Sequence, residues 1–132
     1  MKRSDFRFTD PLRVRWAEVD MQKVVFNAHY LAYVDHCIDR WLRSLDVLTE
    51  GGDWDIMVKK ASVEWHGSAG VGDVLSLEPR VTRWGNTSFD VTIDGAVGER
   101  PVFQAVVVYV GVEMGTKTPA PIPDKFRTAL SG

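Results

Sequence analysis

Cysteine is almost missing from this chain, with Cys37 the only one in 132 residues. No intrachain disulfide can form, no multi-cysteine metal site can be built, and the cytoplasm is the expected location. Histidine is nearly as scarce. His29, His36 and His66 are scattered and lack metal-ligand spacing, so neither a metal nor a cofactor is expected. No apolar run approaches the roughly 18 residues of a membrane-spanning helix. The N-terminal stretch carries positive charge without the apolar segment of a secretory signal, which predicts no export by that route and no membrane partner. Charge imbalance is lacking too. A formal charge of −2 is far from the basic balance of a nucleic-acid binder, and no nucleic-acid partner is expected.

What is present is the material of a core. The chain is 45% hydrophobic, with five Trp, six Phe and three Tyr. At this length such a chain forms a single domain over residues 1–132 and buries about two thirds of the surface it exposes when unfolded. Residues 12 to 16, Leu-Arg-Val-Arg-Trp, alternate apolar and charged, the period of a half-buried strand. From Asn27 the period changes. Tyr30, Leu31, Val34, Cys37, Ile38, Trp41, Leu42 and Leu45 recur at spacings of three and four, which predicts a helix with one apolar face. Asn27, short and polar, is the expected N-cap.

A loop is expected after Leu48, then four strand-like runs over 54–67, 74–84, 87–97 and 101–114. Pro79 places its run at an edge or a bulge. The last run is apolar enough for a central strand buried on both faces. A Pro-rich tail leads to a short helix from Asp124. Turns this short force antiparallel pairing. The fold class is therefore α+β, with a sheet of about five strands wrapped around one long central helix. The open sheet face and edge predict at least a dimer.

Three segments carry a resemblance: "VRWAEVDMQKVVFNAHYLAYVD", "ASVEWHGSAGVGDVL" and "GNTSFDVTI". Together they resemble the hotdog-fold acyl-CoA thioesterases of the 4-hydroxybenzoyl-CoA thioesterase family, over about residues 11 to 126. The most specific part is an Asp, then His or Asn seven residues on, then a Tyr three further, matched by Asp20, Asn27 and Tyr30. Gly72 with Asp73, and Ser88 with Phe89, add to it. The resemblance implies an acyl-CoA substrate, coenzyme A as part of that substrate, and a homodimer or homotetramer.

The resemblance also implies roles. Thioester hydrolysis needs a nucleophile, or a base that activates water, and donors aimed at the carbonyl oxygen as it gains charge. Asp20 supplies the carboxylate, either as nucleophile or as general base, and the backbone around Asn27 polarises the carbonyl. The family's contacts to pantetheine and nucleotide map to Ile56, Met57, Val58, Thr87 and Ser88. A related enzyme type carries a basic residue at the position of Thr87. Lys59, Lys60, Arg80 and Arg83 are available for the phosphates. Phe26, Tyr33, Trp54 and Trp65 are candidates to shape the acyl pocket.

The neighbours read more plainly. Glu18 is expected on the surface, His36 and His66 as bystanders, and Tyr30 and Trp41 in the core. His29 lies near the site. Lys23 departs from the family, where a glycine is common three residues after the Asp. If that position needs positive φ, a lysine there is strained. A non-catalytic acyl-CoA or acyl-carrier binding module on the same fold is the alternative reading. It would bind without turnover.

Overall fold

The computed structural model describes residues 8–47 and 52–131. The elements run β1 (Asp10–Arg13), a 3-10 turn at Trp16–Glu18, α1 (Asn27–Leu45), β2 (Trp54–Trp65), β3 (Val74–Trp84), β4 (Ser88–Val97), β5 (Arg100–Glu113) and α2 (Asp124–Ser131). Strand, helix and four strands follow as the hydrophobic periods predicted, and the short helix from Asp124 is present. The first strand differs. It occupies Asp10–Arg13 because the chain turns at Trp16, where the Glu18 carboxylate accepts the Arg15 amide at 2.8 Å and closes the turn. The loop expected after Leu48 lies partly outside the described residues.

All four pairings are antiparallel, in the order β1-β3-β4-β5-β2. β1 pairs only with Val74 to Leu77, so Pro79 lies beyond its reach and needs no amide for the ladder on that side. β5 is interior, as expected, but only one of its faces is fully buried. Phe103, Ala105, Val107 and Tyr109 enter the core, whereas Val106, Val108 and Val110 on the other face are half-buried.

The inner face of the sheet packs on α1. The helix buries Tyr30, Tyr33, Val34, Cys37, Ile38, Trp41 and Leu42. Tyr33 takes a core place and Leu31 stays exposed, while Tyr30, Val34, Cys37, Ile38, Trp41 and Leu42 are buried as the spacing predicted. At the other end of the sheet, Phe126 of α2 packs on Phe89 and Trp54, with ring centroids 5.3 and 5.0 Å away.

β2 is the free edge at the far side of the sheet from β1. Its register against β5 shifts between Val58 and Lys60, so Lys59 is the extra residue of a bulge. Ile56 and Val58 before the bulge pair with Gly111 and Tyr109. Ala61, Val63 and Trp65 after it pair with Val107, Ala105 and Phe103. Residues on these rungs share the inner face, yet Val58 and Trp65 remain 55% and 43% exposed.

Gly95 sits opposite Phe103 on that inner face, and a methyl group there would fall inside the Phe103 ring. Phe103 in turn meets Tyr30 of α1 edge-on, with centroids 5.1 Å apart. Gly95→Ala is therefore expected to cost about 2–3 kcal/mol by displacing the ring. Chemical denaturation of the two proteins checks this.

Candidate active site

The segment between the 3-10 turn and α1 is a tight hairpin. The Phe26 amide donates to the Glu18 carbonyl, Val19 bridges Val25, and the Asp20 amide donates to the Val24 carbonyl. Asp20 also closes the tip. Its carbonyl accepts the Lys23 amide at 2.9 Å, and its carboxylate Oδ1 accepts the Gln22 amide at 2.8 Å. A carboxylate held by its own turn is oriented while staying exposed. The hairpin is then docked on the next loop, with Val25 donating to the Ala69 carbonyl and Val24 bridging Gly70.

Lys23 has φ +64°, in the left-handed region. A turn followed by one left-handed residue is the hairpin geometry that favours glycine, so the backbone demand behind the family glycine is present here. A lysine meets it at a cost of about 1–2 kcal/mol. Lys23→Gly should stabilise the fold by roughly 0.5–1 kcal/mol once glycine's extra chain entropy is subtracted, raising the melting temperature by about 3 °C in a calorimetric scan.

Asn27 is the first residue of α1 rather than its cap. Phe26 holds the N-cap position with extended backbone and no side-chain cap bond, and the His29 amide bonds back to the Phe26 carbonyl. The Asn27 side chain is exposed, and the first-turn amides point out of the helix end. Asp20 stands three hairpin rungs from Asn27, a separation on the order of 10 Å. The two are neighbours along one hairpin and not in contact.

Glu18 overturns its expected surface position, being only 8% exposed. Burial alone would raise its pKa, but the hydrogen bonds from the Arg15 guanidinium and amide outweigh that and hold it below the usual carboxylate range. The Tyr33 ring comes up from α1 beside it. Burial and then the adjacent Glu18 raise the Tyr33 pKa, while the hydroxyl itself is buried without a partner in hydrogen-bond geometry. These residues border a cleft of about 420 Å³ on the β1 side of α1, which Arg13, His29, Ala32 and His36 complete. The sequence held a signal for this arrangement in the three-residue spacing of Arg15 and Glu18, an ion pair at 2.8 Å.

The other predicted residues form a second group. Met57 of β2, Val110 of β5 and Ser88 of β4 lie on one row across three strands, Ile56 pairs with Gly111, and the Thr87 carbonyl accepts the Gly111 amide at 2.7 Å. Ile56 and Val58 border a second cleft of about 420 Å³ with Ile38, Leu42 and Tyr109, whose rim carries Asp35 and Asp39. This group is far from the hairpin. Trp65 packs on Tyr30 at 5.9 Å near the start of α1, while Ile56 and Val58 lie beside its later turns, roughly 20 Å along the helix from Asn27.

Of the four basic residues available for phosphates, Arg80 and Arg83 pair with Asp94 and Asp90, and Arg83 also donates to the Ser88 hydroxyl at 3.0 Å. Lys59 and Lys60 are exposed on β2. Trp54 is spent in packing over Gly111, whereas Phe26 stands 51% exposed at the start of α1. Cys37 is no rival nucleophile, since burial pushes its thiol up to about 12. Among the described residues, no group of His, Cys, Asp and Glu is arranged to hold a metal, and no helix is long and apolar enough to cross a membrane.

A five-stranded antiparallel sheet curled on a helix is a fold shared with solved structures that include thioesterases. A 1,4-dihydroxy-2-naphthoyl-CoA thioesterase from Synechocystis matches with a TM-score of 0.83 at 22% identity, over 93% of this chain and 94% of the other. A protein from Pseudomonas aeruginosa strain PAO1 matches with a TM-score of 0.85 at 24% identity, over 97% and 92%. A probable thioesterase from Bartonella henselae matches with a TM-score of 0.76 at 21% identity, over 88% and 98%. No curated protein matches the chain. The model of the thioesterase-like superfamily matches residues 14–130, and the chain belongs to that family. It is a thioester hydrolase.

Proposed function

We propose that the chain is a hotdog-fold acyl-CoA thioesterase in which Asp20 is the reacting carboxylate and the start of α1, the central helix of that fold, polarises the thioester carbonyl. The observation that carries this is the hairpin: it leaves an oriented, exposed carboxylate on the order of 10 Å from the free amides of a helix end, a gap that suits a thioester carbonyl. Helix-end amides supply partial positive charge where the oxyanion develops. Oδ1 of Asp20 is engaged by its turn, which leaves Oδ2 to attack the carbonyl or take a proton from water.

The substrate residues support a homodimer or a tetramer built from it. Ile56, Met57 and Val58 lie too far from Asn27 to serve one site within one chain, and β2 is a free edge with apolar side chains on its inner rungs. Antiparallel pairing of β2 with a second copy, centred near Ala61, would set the Ile56 end of one chain beside the Trp65 end of the other. Each site would then join Asp20 and Asn27 of one subunit to residues 56–58 and 87–88 of its partner. The single, buried cysteine fits a cytoplasmic enzyme.

The test is thiol release. Purified protein should liberate coenzyme A from at least one member of a panel of short-chain, long-chain and aromatic acyl-CoAs, followed with a thiol reagent. Tight binding of every member without release of thiol would overturn the activity.

A further inference from the structure

The cleft beside α1 on its β1 side has the makings of a specificity site. Its mouth carries the guanidinium groups of Arg13 and Arg15 and the imidazoles of His29 and His36, and its only acid, Glu18, is already bonded by Arg15. Arg13 gives one donor to the Gly72 carbonyl at 3.0 Å, and Arg15 gives two nitrogens to Glu18, so both guanidiniums keep donors to spare. The wall is apolar at Leu12 and Ala32, and the buried Tyr33 hydroxyl, without a hydrogen-bond partner, borders the same space. Burial and the adjacent Glu18 carboxylate raise the pKa of that hydroxyl, so it stays a neutral donor.

Position adds a direction. The cleft begins at His29 in the first turn of α1 and runs to His36, two turns or roughly 10 Å along the helix. A thioester carbonyl at the start of α1 can therefore send its acyl chain past Ala32 and bring its far end to Arg13 and His36, while Arg15, bonded to Glu18 beside Phe26, stays at the near end. With Ala32 along its length and Arg13 and His36 toward its far end, the cleft matches a chain that ends in an anion.

We infer that the cleft selects acyl-CoAs whose acyl chain ends in a second carboxylate, held by Arg13 and His36 with the Tyr33 hydroxyl bordering its path; the inference rests on the thioesterase reading above. It predicts that an ω-carboxyacyl-CoA is turned over in preference to the neutral acyl-CoA of the same length.

Suberoyl-CoA and octanoyl-CoA make the comparison, because an eight-carbon chain spans nearly the length of the cleft. For the wild type kcat/KM should favour suberoyl-CoA by about 10-fold, although octanoyl is the more apolar chain. Arg13→Gln and His36→Gln replace exposed side chains, and each should bring that ratio toward one, mainly through the KM for suberoyl-CoA. Tyr33→Phe should narrow it as well. Equal or better turnover of octanoyl-CoA by the wild type overturns the assignment. So does a rise in KM that is the same for both substrates in Arg13→Gln, which would place the coenzyme A phosphates at this cleft instead. If no acyl-CoA is hydrolysed, the thioesterase reading fails and this inference with it; octanoyl-CoA turnover without preference sinks the cleft assignment alone.

Discussion

Asp20→Asn is expected to lower thioester turnover by about 10³-fold, within the range that a positioned general base or nucleophile contributes. Asparagine keeps the oxygen that accepts the Gln22 amide, so the turn survives and the substitution removes charge almost alone. The melting temperature should hardly move while kcat collapses. Turnover by the mutant within twofold of wild type would remove Asp20 from the chemistry. Single-turnover hydrolysis in ¹⁸O-labelled water bears on the two roles: unlabelled oxygen in the first product marks a nucleophilic carboxylate whose anhydride is opened by water at the aspartyl carbonyl, whereas a general base puts label there.

The second large effect concerns the shared site. In the proposed arrangement Asp20→Asn should disable the hairpin half, and Thr87→Glu the half assigned to the substrate's phosphates, with an expected loss of about 10-fold or more from like-charge repulsion. Each mutant alone should be weak. Mixed, unfolded and refolded together, they should recover about a quarter of wild-type activity, because half of the random dimers carry one intact site. A recovery no greater than the sum of the two mutants would mean that each chain works alone. Sedimentation of the same samples reads the assembly directly.

The sequence revealed the order of the elements because their hydrophobic periods were strong. The switch from alternation at Leu12 to the three-and-four spacing after Tyr30 located the helix to within a residue, and Val74–Trp84 matched its predicted limits. The failures were local. Asn27 looked like a cap by residue type, yet the hairpin bond from Phe26 to Glu18 moved the helix start one residue back. Leu31 stayed exposed and Tyr33 joined the core because the stripe extends toward the β1 edge of the sheet. Glu18 was read as a surface acid because its three-residue spacing from Arg15 was passed over, and that spacing lets Arg15 fold back over it.

The site was legible in part. Lys23 was recognised as a possible strain, and its backbone is left-handed. What no linear pattern could report was distance. The resemblance assigns residues 20 to 27 and 56 to 58 to one site, but one chain holds them toward opposite ends of its helix.

The bulge at Lys59 has a further consequence. Val-Lys-Lys-Ala-Ser-Val-Glu-Trp has no single period of two, because its apolar positions are even-numbered before Lys59 and odd-numbered after it. The spare residue acts as a phase corrector. Were Lys59 paired in the ladder instead of bulged out of it, everything from Lys60 onward would turn over, and the rungs facing Phe103 and Ala105 would receive carboxylate and hydroxyl groups in place of indole and isopropyl. One lysine, contacting nothing in the core, thus determines which side of half a strand is oily.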